Sequence, residues 1–515
     1  LHRKSLATKA TTPWSRRPWD QILKPYKKYP MKNPLHVVVL AAGRGKRMHS
    51  DIAKVLHPIG GRAMLEHVLG TVLELASNQS PSWVLEAVHV VRGFSGDAVK
   101  AAIEASRLES ALSKQGVELF WHEQTEQRGT GHALMQAQGA LPSSGHSLIL
   151  FGDVPLIEAK SLIEMIERLF LDGHASEDRS VILSAMIDEP KGYGRIMRDP
   201  ESGDVTGIVE ERDATEAQRK IAEINSGMML LPNRHLGRWL SQLSDNNAQS
   251  EYYLTDVIAM AHQQGHPVIG HPISDALQIQ GVNTLTQLIA LERAFQRRLA
   301  DRLLAQGVKI FDPNRFDVRG SLECDSDVYI DINVIFQGRV RLGRGVRVGA
   351  HCVLIDTEVG EGTEILPFTH CESALIGPRS RVGPYARLRP GTELGEENHV
   401  GNFVEFKAAK MGAYSKANHL AYVGDALVGS RVNIGAGTIT CNYDGANKHQ
   451  TVIEDDAFIG SDSQLVAPVR VGAGATLGAG TTLTKDAPAG ELTVSRAKQL
   501  SIAGWKRPSK AIKKS

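Results

Sequence analysis

Cysteine is scarce in this 515-residue chain: Cys324, Cys352, Cys371 and Cys441 are the four, and none stands in a C-x-x-C pair. So few cannot staple a chain of this length, which excludes a small disulfide scaffold and makes reduced thiols in a cytoplasmic setting the expectation. Long apolar runs are also missing. The longest, around Leu35–Ala42, falls far short of the ~20 residues that cross a bilayer, and the basic amino-terminal segment lacks an apolar stretch of the secretory kind. Membrane insertion is therefore not expected. Nor is there an overall excess of one charge, since the formal net is +2. That sum hides a pattern. Residues 1–30 carry eight Lys/Arg against Asp20 and residues 496–515 carry seven with no acid, leaving 44 bases and 56 acids between 31 and 495, a net of −12. An acidic body lacks the basic face that nucleic-acid binding requires, so nucleic acid is not an expected partner.

What is present, 42% hydrophobic and 23% charged residues with 49 glycines, describes a globular chain long enough for more than one core. Five segments are expected. Residues 1–33 form a basic, proline-broken leader without periodicity, expected to be disordered. Met31 reads as the functional start with upstream read-through before it; a docking segment built on the leader's tryptophans is the alternative. Residues 34–283 alternate β-branched runs with helical stretches: HVVVLAAG, a helix near Ala63–Ser77, a strand near Ala87–Val91, then LILFGD before a helix from Ala159. This alternation predicts βα units on a mostly parallel, Rossmann-like sheet, with ligands at the strands' carboxyl ends. Residues 284–309 read as a linker helix, 310–494 as a repeat domain and 495–515 as a basic tail.

In the repeat domain an aliphatic residue returns every six positions. Ile376, Val382, Leu388, Leu394, Val400 and Phe406 make one series, and Ile453, Ile459, Leu465, Val471, Leu477 and Leu483 another. Six fits neither an α-helix nor an ordinary hairpin sheet. It resembles the hexapeptide repeat of the left-handed parallel β-helix, whose stacked coils gain their core collectively. Between Ala408 and Ser430 the rhythm slips, and a projecting loop is expected there.

The segment Leu40-Ala-Ala-Gly-Arg-Gly-Lys-Arg-Met48 follows a strand, with Lys54 soon after. Glycines admit backbone N–H groups close to a triphosphate, and the cations neutralise it. Neither the complete G-x-G-x-x-G nor the Walker spacing is present. However, LAAGRGKRM resembles the signature of sugar-nucleotide pyrophosphorylases. Gln124, Gly129-Thr130-Gly131-His132, Phe151-Gly152-Asp153, Gly192-Tyr193-Gly194-Arg195, Glu210, Asn225 and Gly281-Val282-Asn283 follow in the order of that family. With the hexapeptide half attached, the chain from about Val37 to Lys506 resembles the bacterial bifunctional N-acetylglucosamine-1-phosphate uridylyltransferase / glucosamine-1-phosphate N-acetyltransferase family.

The resemblance implies that Leu40, Ala41, Ala42 and Gly43 frame uracil and phosphates, with Gln124, Gly129 and Thr130 completing the base pocket. Gly194, Glu210 and Asn225 would hold the acetylated sugar. Asp153 and Asn283 would ligate Mg²⁺, while Arg47 and Lys54 absorb charge as pyrophosphate leaves. Taken singly, Asp153 reads as a helix cap, Glu210 as a surface acid and Asn283 as a turn residue; their joint occurrence in order favours the functional roles. Phe151 departs from the Tyr of many relatives and offers no hydroxyl.

For acetyl transfer the resemblance assigns His419 as general base, with Glu405 orienting or tuning it; a packed loop histidine is the alternative. Arg389 and Lys407 would take the sugar phosphate, and Tyr422 and Asn433 the sugar, although Asn433 also fits an inward polar rung. Asn442, Tyr443, Ala436, Ser461, Ala479 and Arg496 would contact acetyl-CoA, with Arg496 alternatively a solvated charge of the tail. Cys441 reads as structural, because direct transfer from a thioester needs no nucleophile.

The activity implied is acetylation of glucosamine-1-phosphate by acetyl-CoA. Mg²⁺-dependent coupling to UTP then gives UDP-N-acetylglucosamine, a precursor for peptidoglycan and lipopolysaccharide. Hexapeptide acyltransferases commonly form trimers, so a homotrimer is the implied assembly. Two rival readings remain: a single-activity nucleotidyltransferase whose repeat domain only oligomerises, and a sugar-nucleotide sensor with a degenerate first domain.

Overall fold

A computed structural model describes residues 32–173, 177–495 and 497–508; the expected leader, apart from its last two residues, and Arg496 lie outside them. The first half is built on a sheet of mainly buried, β-branched strands. From one edge to the other they run Val268–Ile273, Ser180–Met186, Glu223–Pro232, His146–Phe151, Asn33–Ala41, Trp83–Arg92 and Glu118–Glu123. All pair in parallel except Glu223–Pro232, which is antiparallel to both neighbours. Its outer end also carries the antiparallel pair Arg195–Arg198 and Val205–Val209.

Strands buried on both faces read as continuous aliphatic runs, and VVVLA in the first strand is one. Helices cover each face, so one core gathers around Val37, Val39, Leu69 and Leu150 and another around Val38, Ile149, Leu231 and Trp239. Asn33–Ala41 lies between Trp83–Arg92 and His146–Phe151, so the chain reverses direction across the sheet beside this strand. A crevice opens at the carboxyl ends of strands at such a switch point.

The linker helix spans Leu285–Ala305 and starts from a capping box in which Thr284 and Gln287 satisfy each other's backbone N–H groups. It rests on both halves. Leu288 and Leu291 pack with Met48, Ile59 and Met64 of the first half. Buried Gln296 joins the second, donating to Val318 O at 2.8 Å and accepting from Val318 N at 2.9 Å.

From Lys309 short strands stack in parallel as successive coils of a β-helix, with inward positions mostly aliphatic or small and Phe316, Phe336 and Phe406 among them. The expected projecting loop at 408–430 is absent. Inward-facing Phe406, Met411, Ala417, Val423, Val428 and Ile434 continue the core without interruption, and their strands keep pairing with the coils on either side. The slip comes from two sides that are five residues long, which Ala408 and Asp425 close at positive φ of 44° and 46°. The excursion lies later, between Ile439–Cys441 and Thr451–Ile453, in the polar segment CNYDGANKHQ.

Candidate functional sites

The loop after the first strand frames a cleft of about 510 Å³ at the switch point. Leu40, Ala41, Ala42, Gly43, Arg47, Lys54, Gln124, Gly129, Thr130, Asp153 and Asn283 all line it. Gly45 turns at φ 64°, and a Cβ there would stand 2.8 Å from Lys54 Cβ, so the loop closes over the lysine only with glycine at this position. The Lys54 ammonium is thereby directed between two oxygens: it pairs with the Asp153 carboxylate and lies 3.3 Å from Asn283 Oδ1. Asn283 is held by its backbone N–H, which donates to Gln287 Oε1 at 2.8 Å, so the cap of the linker helix also sets this side chain. Val282 N donates to Asp153 O at 3.0 Å, which locks the two segments together. Asp153 caps no helix, since the next one begins after Glu158. A carboxylate and an amide oxygen converging on one cation are hard donors in small number, the set that suits Mg²⁺.

Gln124 is buried, and its Nε2 donates to Gly129 O at 3.2 Å and to His132 Nδ1 at 3.0 Å, fixing one wall. Gly194, Glu210 and Asn225 stand outside the cleft in a cluster of their own. Asn225 N donates to Gly194 O at 2.9 Å, and Glu210 Oε2 lies 3.5 Å from where a Cβ would stand on Gly194. Burial pushes the Glu210 carboxyl above the usual range, partly opposed by a 3.0 Å hydrogen bond from Thr255. Phe151 joins the two groups: it lines the cleft, and its ring fills the space beside Gly227, which turns at φ 84°. Ring packing thus exists without a hydroxyl. The cleft also includes Arg44, Lys46, Gln127 and Glu251, which the sequence reading missed. The first two were within sight, in the same glycine-bearing loop; Glu251 lies about 200 residues away and carries no motif.

In the β-helix, His419 ends the strand Lys416–His419 at a corner of a regular coil, and it is exposed in the single chain. Its Nδ1 lies 2.7 Å from Asn402 Oδ1, on the coil below. With that oxygen as acceptor, the ring carries its proton on Nδ1 and leaves Nε2 as the free base. Glu405 is not the partner expected of it. It accepts from Arg389 Nη1 at 2.8 Å and stacks between Arg387 and Tyr422 on the next side of the coil.

Lys407 has a neighbour that the sequence did not reveal. Lys448, from the polar excursion, comes close to the Lys407 side chain, and this second amine holds the Lys448 pKa below its ordinary value. Asn442, at the base of the excursion, is buried and bonds the Asp425 carboxylate, whereas Tyr443 is exposed. Asn433 faces outward, because Ile434 fills the inward position of its strand. Burial raises the Cys441 thiol pKa, in keeping with a structural cysteine.

Stacking places Asn402, His419, Ala436, Ser461 and Ala479 in one column of corner residues. Gly437 N donates to Leu420 O at 3.1 Å, Asp462 N to Ala436 O at 2.7 Å and Gly480 N to Ser461 O at 2.8 Å. At ~4.8 Å per coil the column extends roughly 14 Å from His419 to Ala479. Its residues beyond His419 are small, leaving a shallow track that leads away from the imidazole.

The fold and these two sites define a nucleotidyltransferase joined to a hexapeptide-repeat transferase. Residues 37–302 match the MobA-like NTP transferase domain family, and residues 450–485 the bacterial transferase hexapeptide (six repeats). Over 480 residues the chain is 53% identical to the bifunctional protein GlmU of Ralstonia nicotianae, covering 93% of this chain and 100% of that one. The GlmU proteins of Ralstonia pickettii, at 54% identity, and of an Azoarcus species, at 53%, align over 93% and 92% of this chain and the whole of theirs. The chain belongs to the bifunctional GlmU family.

Proposed function

We propose that the two sites carry the two steps of UDP-N-acetylglucosamine synthesis, the bifunctional activity of this family. The convergence of Asp153, Asn283 and Lys54 in a glycine-walled cleft, on the same chain as a corner imidazole heading a track of small residues, carries the proposal.

In the β-helix, His419 Nε2 accepts a proton as the amine of glucosamine-1-phosphate attacks the thioester carbonyl of acetyl-CoA; the new N–C bond forms, the C–S bond breaks and coenzyme A leaves as its thiol. Asn402 fixes the ring, Arg389, Lys407 and Lys448 hold the sugar phosphate, and Tyr422 and Asn433 hold the sugar. Glu405 keeps the Arg389 fork oriented. The pantetheine arm follows Ala436, Ser461 and Ala479, with Asn442, Tyr443 and Arg496 as further contacts.

In the cleft, a phosphate oxygen of N-acetylglucosamine-1-phosphate displaces pyrophosphate from the α-phosphorus of UTP. Leu40–Gly43, Gln124, Gly129 and Thr130 hold the nucleotide, and Gly194, Glu210 and Asn225 the sugar. Arg47 and Lys54 neutralise the leaving group. Mg²⁺, which the family uses, screens the repulsion between the two polyanions when held by the oxygens of Asp153 and Asn283.

Assembly as a homotrimer is part of the proposal. His351, Phe368, Tyr385 and Phe403 stack as a ladder up one corner of the β-helix with ring centroids 4.9, 4.9 and 5.4 Å apart, and exposed Leu420 continues it. A continuous exposed apolar stripe beside an exposed imidazole fits burial by a neighbouring copy. No helix among the described residues is long and apolar enough to cross a membrane, and we place the enzyme in the cytoplasm with its nucleotide and thioester substrates. The test supplies glucosamine-1-phosphate, acetyl-CoA, UTP and Mg²⁺ and follows products by mass. Free coenzyme A together with UDP-N-acetylglucosamine is the expected result; sugar nucleotide without thiol release, or neither product, overturns the reading.

A further inference from the structure

Three side chains distant in sequence meet at the end of the sheet opposite the cleft. Asp178 stands just before Ser180–Met186, His266 just before Val268–Ile273, and His235 just after the antiparallel Glu223–Pro232. These are adjacent strands, so all three residues emerge at the same end. The glycine loop and Asp153 instead follow the carboxyl ends of their parallel strands, at the far end.

The contacts are close. His235 Nε2 lies 2.7 Å from Asp178 Oδ1, the two imidazole rings are 4.1 Å apart between centroids, and the three available donor atoms all lie within 4.8 Å of one another. Trp239 packs against both rings, at 5.2 and 5.7 Å, and is itself fixed by a 3.1 Å bond from its Nε1 to Gln264 Oε1. The rings are thus held in place while their outer edges stay half-buried rather than sealed.

Charge around the cluster is mixed. Arg234 Nη1 lies 3.2 Å from Glu177 Oε2 and 3.4 Å from Asp178 Oδ1, and Arg238 faces His266. Arg234 shares its charge between two carboxylates, so Asp178 is not fully neutralised by it.

We propose that Asp178, His235 and His266 form a site for a divalent transition metal of the Zn²⁺ class, separate from the Mg²⁺-dependent cleft. Two imidazoles and one carboxylate, with a position left for water, form a borderline donor set that favours Zn²⁺ over Mg²⁺, which takes oxygen ligands. Zn–ligand bonds of about 2.0–2.1 Å put ligand atoms about 3.3 Å apart, so the 2.7 Å His235–Asp178 pair opens slightly while wider separations, all within 4.8 Å, close onto the ion. The metal would cross-link three segments that no disulfide joins, bracing the outer edge of the sheet without taking part in either reaction.

The experiment uses the full-length, untagged protein, stripped with EDTA and kept in excess Mg²⁺ to occupy the cleft. Zn²⁺ is titrated calorimetrically, and Co²⁺ is added in parallel to read its visible absorption bands. One Zn²⁺ per chain is expected here, with Co²⁺ bands indicating bound nitrogen ligands and a higher melting temperature when Zn²⁺ is bound. The His235→Gln/His266→Gln variant should lose the Co²⁺ bands and the melting shift, and its Zn²⁺ affinity should fall at least about tenfold. Its uridylyl transfer rate should be unchanged, which also shows that the variant is folded. Asp178→Asn, a near-isosteric change, should weaken Zn²⁺ in the same way. Absence of Zn²⁺ binding by the parent protein, or equal stoichiometry and affinity in the parent and in these variants, overturns the proposal.

Discussion

An imidazole is a general base only if one nitrogen is bare and aimed, and for the role proposed for His419 the residue placed to arrange this is Asn402, at 2.7 Å. Replacing His419 with Ala should cost acetyl transfer about 10²–10⁴-fold. Asn402→Ala should lower kcat by up to about a hundredfold through misorientation, with KM for the sugar phosphate little changed. Glu405→Gln should do the reverse, raising KM for glucosamine-1-phosphate, because its 2.8 Å contact is with Arg389. Steady-state kinetics on the two variants separate these outcomes, and a lowered kcat with unchanged KM for Glu405→Gln would return the tuning role to Glu405. Asn402 was hidden in the sequence for a definite reason. Three six-residue sides would bring residue 401 opposite His419; the five-residue side after Phe406 shortens that coil to 17 and brings residue 402 there instead. Lys448 was hidden because a polar excursion carries no period that fixes where its side chains return.

At the scale of elements, the sheet and the β-helix were both legible because each has a strong repeating signal: aliphatic runs alternating with helices in one, a period of six in the other. The expected loop at 408–430 was wrong because a change in side length breaks a sequence rhythm as thoroughly as an insertion does, while leaving the coil intact. Burial also sets how the sheet half responds to acid. Burial drives the His67, His89 and His146 imidazoles of the sheet half down to about 4. In the unfolded chain they titrate near 6.5, so between about pH 6.5 and 4 the unfolded state binds protons that the folded state refuses. Their stabilising contribution is complete above that window and is lost as pH falls through it. Thermal unfolding followed by circular dichroism should show the sheet half's transition dropping between pH 7 and 5, and His89→Gln should make the drop shallower. A transition with the same pH slope in parent and variant would contradict this.

For the whole molecule, the proposed assembly bears on one of the two sites only. The aromatic ladder ends beside His419, whereas the uridylyl cleft is built entirely from the first half and the cap of the linker helix. Phe403→Glu places a charge in the stripe and should shift the protein toward monomer in sedimentation, with acetyl transfer falling in step and uridylyl transfer retained. A monomer with undiminished acetyl transfer would remove the role given to a neighbouring copy.

In the proposed function one chain carries two separable reactions, and the direct measurement is both rates on each of two folded variants. Asp153→Ala should lose uridylyl transfer and keep acetyl transfer, and His419→Ala should lose acetyl transfer and keep uridylyl transfer. Loss of both activities in either variant, with its unfolding profile unchanged, would contradict independent sites.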